Sequence, residues 1–124
     1  MENINLLTEE ILRCAFKVHS ALGPGLLESS YKECLFYELM KSDLIVEKEK
    51  ALPLVYEEVK LEIGYRIDLL VENKVIIEIK AVEALNDVHT AQVLTYLKLS
   101  GCKVGLLLNF HTSSLKNGIK RLMY

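Results

Sequence analysis

Two spacings of apolar side chains divide the chain. Ile11, Leu12, Ala15, Phe16 and His19, closed by Leu22, recur every three or four positions, as on one face of a helix. Thr8 is placed to cap that helix, with Glu9 and Glu10 in its first turn, where acids suit the helix dipole. Gly23-Pro24-Gly25 ends it. A second helix is predicted over about 27–42, with Leu27, Tyr31, Cys34, Leu35 and Leu39 as its apolar positions. From Ile45 to Ala81 the period falls to two, which predicts strands over 50–57, 60–71 and 74–81. The last two should form a hairpin through Glu72-Asn73-Lys74. Asn86 or Asp87 caps a helix running to about Leu99 and ended by Gly101, and the nearly all-apolar 103–109 reads as a covered parallel strand. A final helix is predicted over 113–123, with Lys116, Lys120 and Arg121 towards its end.

The resulting order, α-α-β-β-β-α-β-α, describes an α/β fold. Three antiparallel strands are followed by a helical crossover, expected to be right-handed, into a strand parallel to the third. A small mixed sheet flanked by helices results. With 124 residues, the chain is read as a single domain spanning 1–124. Apolar residues make up 51% of it and the mean hydropathy is +0.21, which excludes intrinsic disorder. No apolar run approaches the ~20 residues of a membrane span. The opening Met1-Glu2-Asn3-Ile4-Asn5 is acidic and polar, and is read as neither a signal nor a transit peptide. The expected location is the cytoplasm. A net charge of −2 argues against coating nucleic acid by bulk electrostatics, though not against a local basic groove. Cys14, Cys34 and Cys102 are odd in number and form no CxxC pair, so they are read as small buried apolar residues rather than disulfides or zinc ligands.

The informative residues are charges within strands. Asp68 interrupts the apolar Ile67–Leu69–Leu70 run, and Asp is disfavoured in strand interiors. Glu78 and Lys80 share one face of the next strand. With a three-residue hairpin loop Val71 pairs with Val75, and Asp68 then lies opposite Glu78, with Cβ atoms about 4.5–5.5 Å apart. Two carboxylates that close repel unless a cation lies between them, and a divalent ion with oxygen ligands meets that need. Lys80 would flank the same spot and help orient a water there. On the following helix His89, Gln92 and Tyr96 form one stripe. By themselves these residues also describe the wet face of a hairpin and an ordinary polar helix face.

Taken in order, Asp68, Glu78-Ile79-Lys80 and Gln92-x-x-x-Tyr96 resemble the PD-(D/E)XK nuclease superfamily in its RecB-like branch. The α-β-β-β-α-β order resembles its restriction-endonuclease-like core. More narrowly, Gly25-Leu26-Leu27-Glu28-Ser29-Ser30-Tyr31 is similar to the signature of the GxxExxY protein family, as are Val18-His19-x-x-Leu22-Gly23-Pro24-Gly25 and Tyr65-Arg66-Ile67-Asp68. The resemblance implies that Asp68 and Glu78, with Glu28 from the first core helix, bind Mg²⁺ or Mn²⁺, with the Ile79 carbonyl as a further ligand. It implies that Lys80 is the active-site lysine, and that Gln92 and Tyr96 hold substrate or the geometry of the site. Two positions depart from the pattern: Ile67 rather than Pro precedes Asp68, and Gly64 lies four residues before it rather than three. The four cysteines of cluster-bearing relatives are absent, so no iron–sulfur cluster is expected.

The function implied is metal-dependent hydrolysis of DNA, without a covalent intermediate. The alternative is a nuclease-fold nucleic-acid-binding or accessory module, weak or inactive on its own, acting in a complex. The high apolar content of so small a chain also predicts an exposed patch among Leu44, Ile45, Leu52 and Leu54, and a two-fold homodimer built on it.

Overall fold

A computed structural model of the chain describes residues 3–124. Met1 and Glu2, the first two residues of the polar opening, lie outside them. Asn3, not Thr8, caps the first helix, α1 (Ile4–Leu22), its side chain accepting from the Asn5 and Leu6 N–H groups at 2.8 and 3.3 Å. The early start adds Leu7 to the buried stripe Ile11, Cys14, Ala15 and Val18. Phe16 and Leu22 fall on its exposed margin instead. Thr8 sits inside the helix and turns its hydroxyl back to the Asn5 carbonyl. Gly23 ends the helix. α2 (Glu28–Lys41) follows, burying Tyr31, Leu35 and Leu39 one turn apart. Leu27, expected on its apolar face, precedes the first turn and is exposed.

The strand region holds more pieces than the periodicity predicts: β1 (Val46–Ala51), β2 (Leu54–Tyr56), β3 (Val59–Leu61), β4 (Arg66–Val71) and β5 (Val75–Lys80). Pro53 cannot donate to a ladder and separates β1 from β2. Gly64, at φ 90°, separates β3 from β4. β2 and β3 form a two-stranded ribbon apart from the main sheet, whose order is β1-β4-β5-β6-β7. The β4–β5 hairpin has the expected register: Val71 pairs with Val75 and Leu69 with Ile77. α3 (Asp87–Ser100) starts at an Asn86 cap and stops at Gly101, at φ 80°. β6 (Val104–Asn109) then runs parallel to β5.

The predicted final helix over 113–123 does not form. A single 3₁₀ turn, Leu115–Gly118, leads into β7 (Ile119–Met123), antiparallel to β6. All six residues of β6 are buried, and without β7 its outer edge would be left with unpaired backbone groups. Gly118 permits the closure. A Cβ there would stand 2.2 Å from the Asn109 carbonyl oxygen. The alternation that marks β7, with Ile119 and Leu122 more buried than Lys120 and Arg121, is short and easily mistaken for a basic helix end.

The sheet divides the core. Leu69, Val71, Val75, Ile77, Val104, Leu106 and Leu108 pack against α1 and α2, whereas Ile67, Leu70, Ile76 and Leu107 meet Val93, Tyr96 and Leu97 of α3. Tyr31 stacks on Phe110 with ring centroids 4.6 Å apart. His19 is buried and bonds the Thr112 carbonyl through Nε2 at 2.8 Å. Cys14 and Cys102 are buried and Cys34 half-buried, all as free thiols. The expected patch fails at two of its four members: Leu44 and Leu52 are buried, and Ile45 is exposed. Exposed apolar residues gather instead on the ribbon, at Val55, Tyr56, Val59 and Leu61, and at Ile63 just beyond it. No helix among the described residues is long and apolar enough to cross a membrane.

Gly118→Ala should lower stability by ~1–3 kcal/mol, since the methyl meets fixed backbone. Urea unfolding beside an exposed control such as Ser113→Ala measures the effect.

Candidate active site

Ladder pairing between β4 and β5 stops one step short of Asp68. Beyond Leu69 and Ile77 the two strands are joined by side chains. The Asp68 N–H donates to Glu78 Oε2 at 2.8 Å, and the Ile79 N–H donates to Asp68 Oδ2 at 2.8 Å. On the other flank, β1 pairs with β4 at Lys48–Leu69 and again at Lys50–Ile67, but not at Glu49, which lies opposite Asp68 and has φ 53°. Regular pairing thus breaks on both sides of Asp68. The sequence cause is local: two carboxylates face each other where the register, set by the Glu72-Asn73 turn, gives them no choice. Both turn residues hold positive φ.

Four elements bring the charged residues together. β4 and β5 supply the carboxylate pair. α3 brings Gln92, whose Oε1 is 3.4 Å from Lys80 Nζ and whose Nε2 is 3.3 Å from the Tyr96 hydroxyl. α2 brings Glu28, whose Oε2 accepts from the Ala81 N–H at 3.2 Å. His89 is drawn off the stripe's chemistry. It completes a capping box, with Nδ1 accepting from the Asn86 N–H.

One cation escapes sequence reasoning. Lys32, a helical turn after Glu28, places Nζ 3.1 Å from Glu49 and 3.8 Å from Asp68 Oδ1. Burial works against its ammonium, but the Glu49 hydrogen bond and the Asp68 charge outweigh it and raise its pKa. The available signal was the four-residue spacing from Glu28.

Glu78 is 3% exposed. Burial, reinforced by the charge of Asp68, pushes its carboxyl from the ordinary 4.5 up to about 8. Burial raises Asp68 too, against the Ile79 N–H and the charges of Lys32 and Lys80. The Tyr96 hydroxyl is raised by burial and by Glu78. Without a neutralising cation, the pair therefore keeps a proton at neutral pH. An all-oxygen carboxylate pair, one member buried and one half-buried, fits a hard divalent ion, which would replace that proton. Among the described residues no three His, Cys, Asp or Glu side chains stand close enough to hold an ion unaided.

The shift has a stability consequence. Between pH ~4.5 and about 8 the folded, metal-free protein holds a proton at Glu78 that the unfolded chain has lost. The contribution of this group to stability is therefore present in full below that window, falls through it by up to ~1.4 kcal/mol per pH unit, and is gone above it. Urea titrations across this range in a chelator should show the fall, and Glu78→Gln should flatten it. A wild-type profile already flat would mean that the pair is not protonated.

A family model described as the PD-(D/E)XK nuclease superfamily matches residues 5–122. No curated protein and no solved structure matches the chain. The match runs through every strand and helix that builds the site, and the five-stranded mixed sheet flanked by helices accords with a restriction-endonuclease-like fold. The chain belongs to the PD-(D/E)XK nuclease superfamily.

Proposed function

We propose that the protein is a metal-dependent nuclease that hydrolyses phosphodiester bonds of DNA, a single domain of the GxxExxY type within the RecB-like branch. The observation that carries this reading is the pair of half-buried Asp68 and buried Glu78, each carboxylate bonded to the opposite strand, with Lys80 and Lys32 beside it. The Gly25-Leu26-Leu27-Glu28-Ser29-Ser30-Tyr31 signature supports the narrower type.

In this reading Asp68 and Glu78 would hold Mg²⁺ or Mn²⁺, and Glu28 would join them from α2 only on leaving the Ala81 N–H that it accepts from. The chemistry such an ion would supply is polarisation of the scissile phosphate and a lowered pKa for a water bound to it. Lys80 meets the negative charge that develops on the phosphate. Lys32 adds a second positive charge on the α2 side. Gln92 and Tyr96 fix the Lys80 ammonium through the chain of bonds from Nζ to the Tyr96 hydroxyl. Neither Ser nor Cys is required as a nucleophile. Assembly as a cytoplasmic homodimer belongs to the same reading, supported by the exposed apolar side chains of the β2–β3 ribbon.

A second reading, a binding or accessory module, is favoured by one observation. Asp68, Glu78 and Glu28 each already have a backbone N–H partner without any ion.

Calorimetric titration with Mg²⁺ and Mn²⁺ and a plasmid-nicking assay separate the two. The wild type should bind the ion and nick the plasmid, with no nicking in chelator. Asp68→Ala should lose more than the ~10–100-fold that a residue merely supporting a metal site costs. Lys80→Ala should lose activity on the order of 100-fold while still binding metal. A wild type that binds DNA but neither ion, and cuts nothing, favours the accessory module. Light scattering that finds only a 14.1 kDa species ends the dimer.

A further inference from the structure

Beside the carboxylate pair lies a cleft of about 270 Å³, walled by Leu54 at the start of β2, Tyr65 just before β4, and Val88, Ala91, Gln92 and Tyr96 along α3. That is near the small end of ligand pockets. Two of its walls also belong to the site. Gln92 reaches Lys80 from one end of its amide and Tyr96 from the other. The Tyr96 ring meets Tyr65 edge-on, with centroids 6.4 Å apart. Tyr65 is 42% exposed and Val88 74%, so apolar surface stands wet immediately next to the charged groups.

We propose that this cleft receives one unpaired nucleobase of the strand being cut, stacked on Tyr65. The proposal rests on the nuclease reading and deepens it by naming a substrate class: single-stranded or locally unpaired nucleic acid. A nucleobase has two apolar π faces and a polar rim. The cleft offers a tyrosine ring and aliphatic walls for the faces, and the Gln92 amide for the rim. The charges divide in the same way. The cations Lys80 and Lys32 stand at the carboxylate pair, where a phosphate would sit, and the cleft's walls named here carry no charged side chain. A base stacked within a duplex cannot enter, because its faces are covered by its neighbours. Discrimination therefore falls on the cost of unstacking, which a single strand, a frayed end or a mismatch largely avoids.

The test uses single-stranded and duplex oligonucleotides carrying 2-aminopurine, whose fluorescence is quenched by stacking, with Ca²⁺ in place of Mg²⁺. Tyr65 and Ala91 are exposed, so substitutions there leave the core intact, and circular dichroism checks this. The wild type should bind the single strand more tightly than the duplex and quench its fluorescence. Tyr65→Ala, which removes the platform, and Ala91→Phe, which fills the cleft, should each weaken binding on the order of tenfold and restore the fluorescence. Tyr65→Phe should behave as wild type. Equal binding and quenching by wild type, Tyr65→Ala and Ala91→Phe would overturn the cleft, as would a duplex bound as tightly as the single strand. Metal titration and nicking by the wild type report separately on the nuclease reading. An active, metal-binding wild type with unaltered variants sinks the cleft alone. A Tyr65-dependent quench in a protein without metal or cleavage keeps the cleft and sinks the nuclease.

Discussion

Beyond Leu69 and Ile77, β4 and β5 are held together by carboxylates rather than by their own carbonyls. Everything nearby follows from that substitution. A carboxylate that accepts a backbone N–H satisfies a donor that the broken ladder would orphan. It also brings a charge into the sheet, and burial makes that charge costly. The protein meets the cost with a proton at Glu78 and with two lysines, one from β5 and one from α2. Loss of regular pairing on the β1 side, at Glu49, gives Lys32 a second acid to bridge to. The same stretch therefore combines an open ladder, carboxylate oxygens from two strands and adjacent cations.

The central strands were legible because their constraints are local. Val71, Glu72-Asn73-Lys74 and Val75 fix the hairpin register, and alternation then fixes which side chains face Asp68. Asn86 and Gly101 likewise bound α3 as the caps require. What was not legible depends on distant partners. Nothing near 119–123 says that β6 needs covering on its outer edge, and a short run with three basic residues around it mimics a helix end. Asn3 outcompetes Thr8 as a cap because an earlier start buries Leu7, a benefit visible only once the sheet is present. Lys32 matters only because Asp68 and Glu49 fold up to it.

α2 ties core to site through one residue. Tyr31 is fully buried, its ring on Phe110 and its hydroxyl donating to the Gly23 carbonyl at 2.6 Å while accepting from the Leu26 N–H at 3.1 Å. It therefore fixes the turn between the first two helices from inside. Glu28 and Lys32 flank it in the sequence and on the helix surface, so the brace that sets Tyr31 also sets where those two charges point. Within residues 25–31 the tyrosine is accordingly a brace, and the glutamate is exposed.

β7 is bonded across the molecule as well as to β6. Arg121 donates from Nη1 to the Thr8 hydroxyl at 3.2 Å and from Nη2 to the Asn5 side chain at 2.9 Å. Contacts so far apart along the chain close only after most of it has been made. During synthesis the whole of β6 emerges before residues 119–123 can cover it, with an apolar, unpaired edge exposed in the interval. Nascent chains stalled or cleaved before Ile119 would carry that edge permanently, and the last five-residue strand thereby acts as a seal against strand addition by other chains.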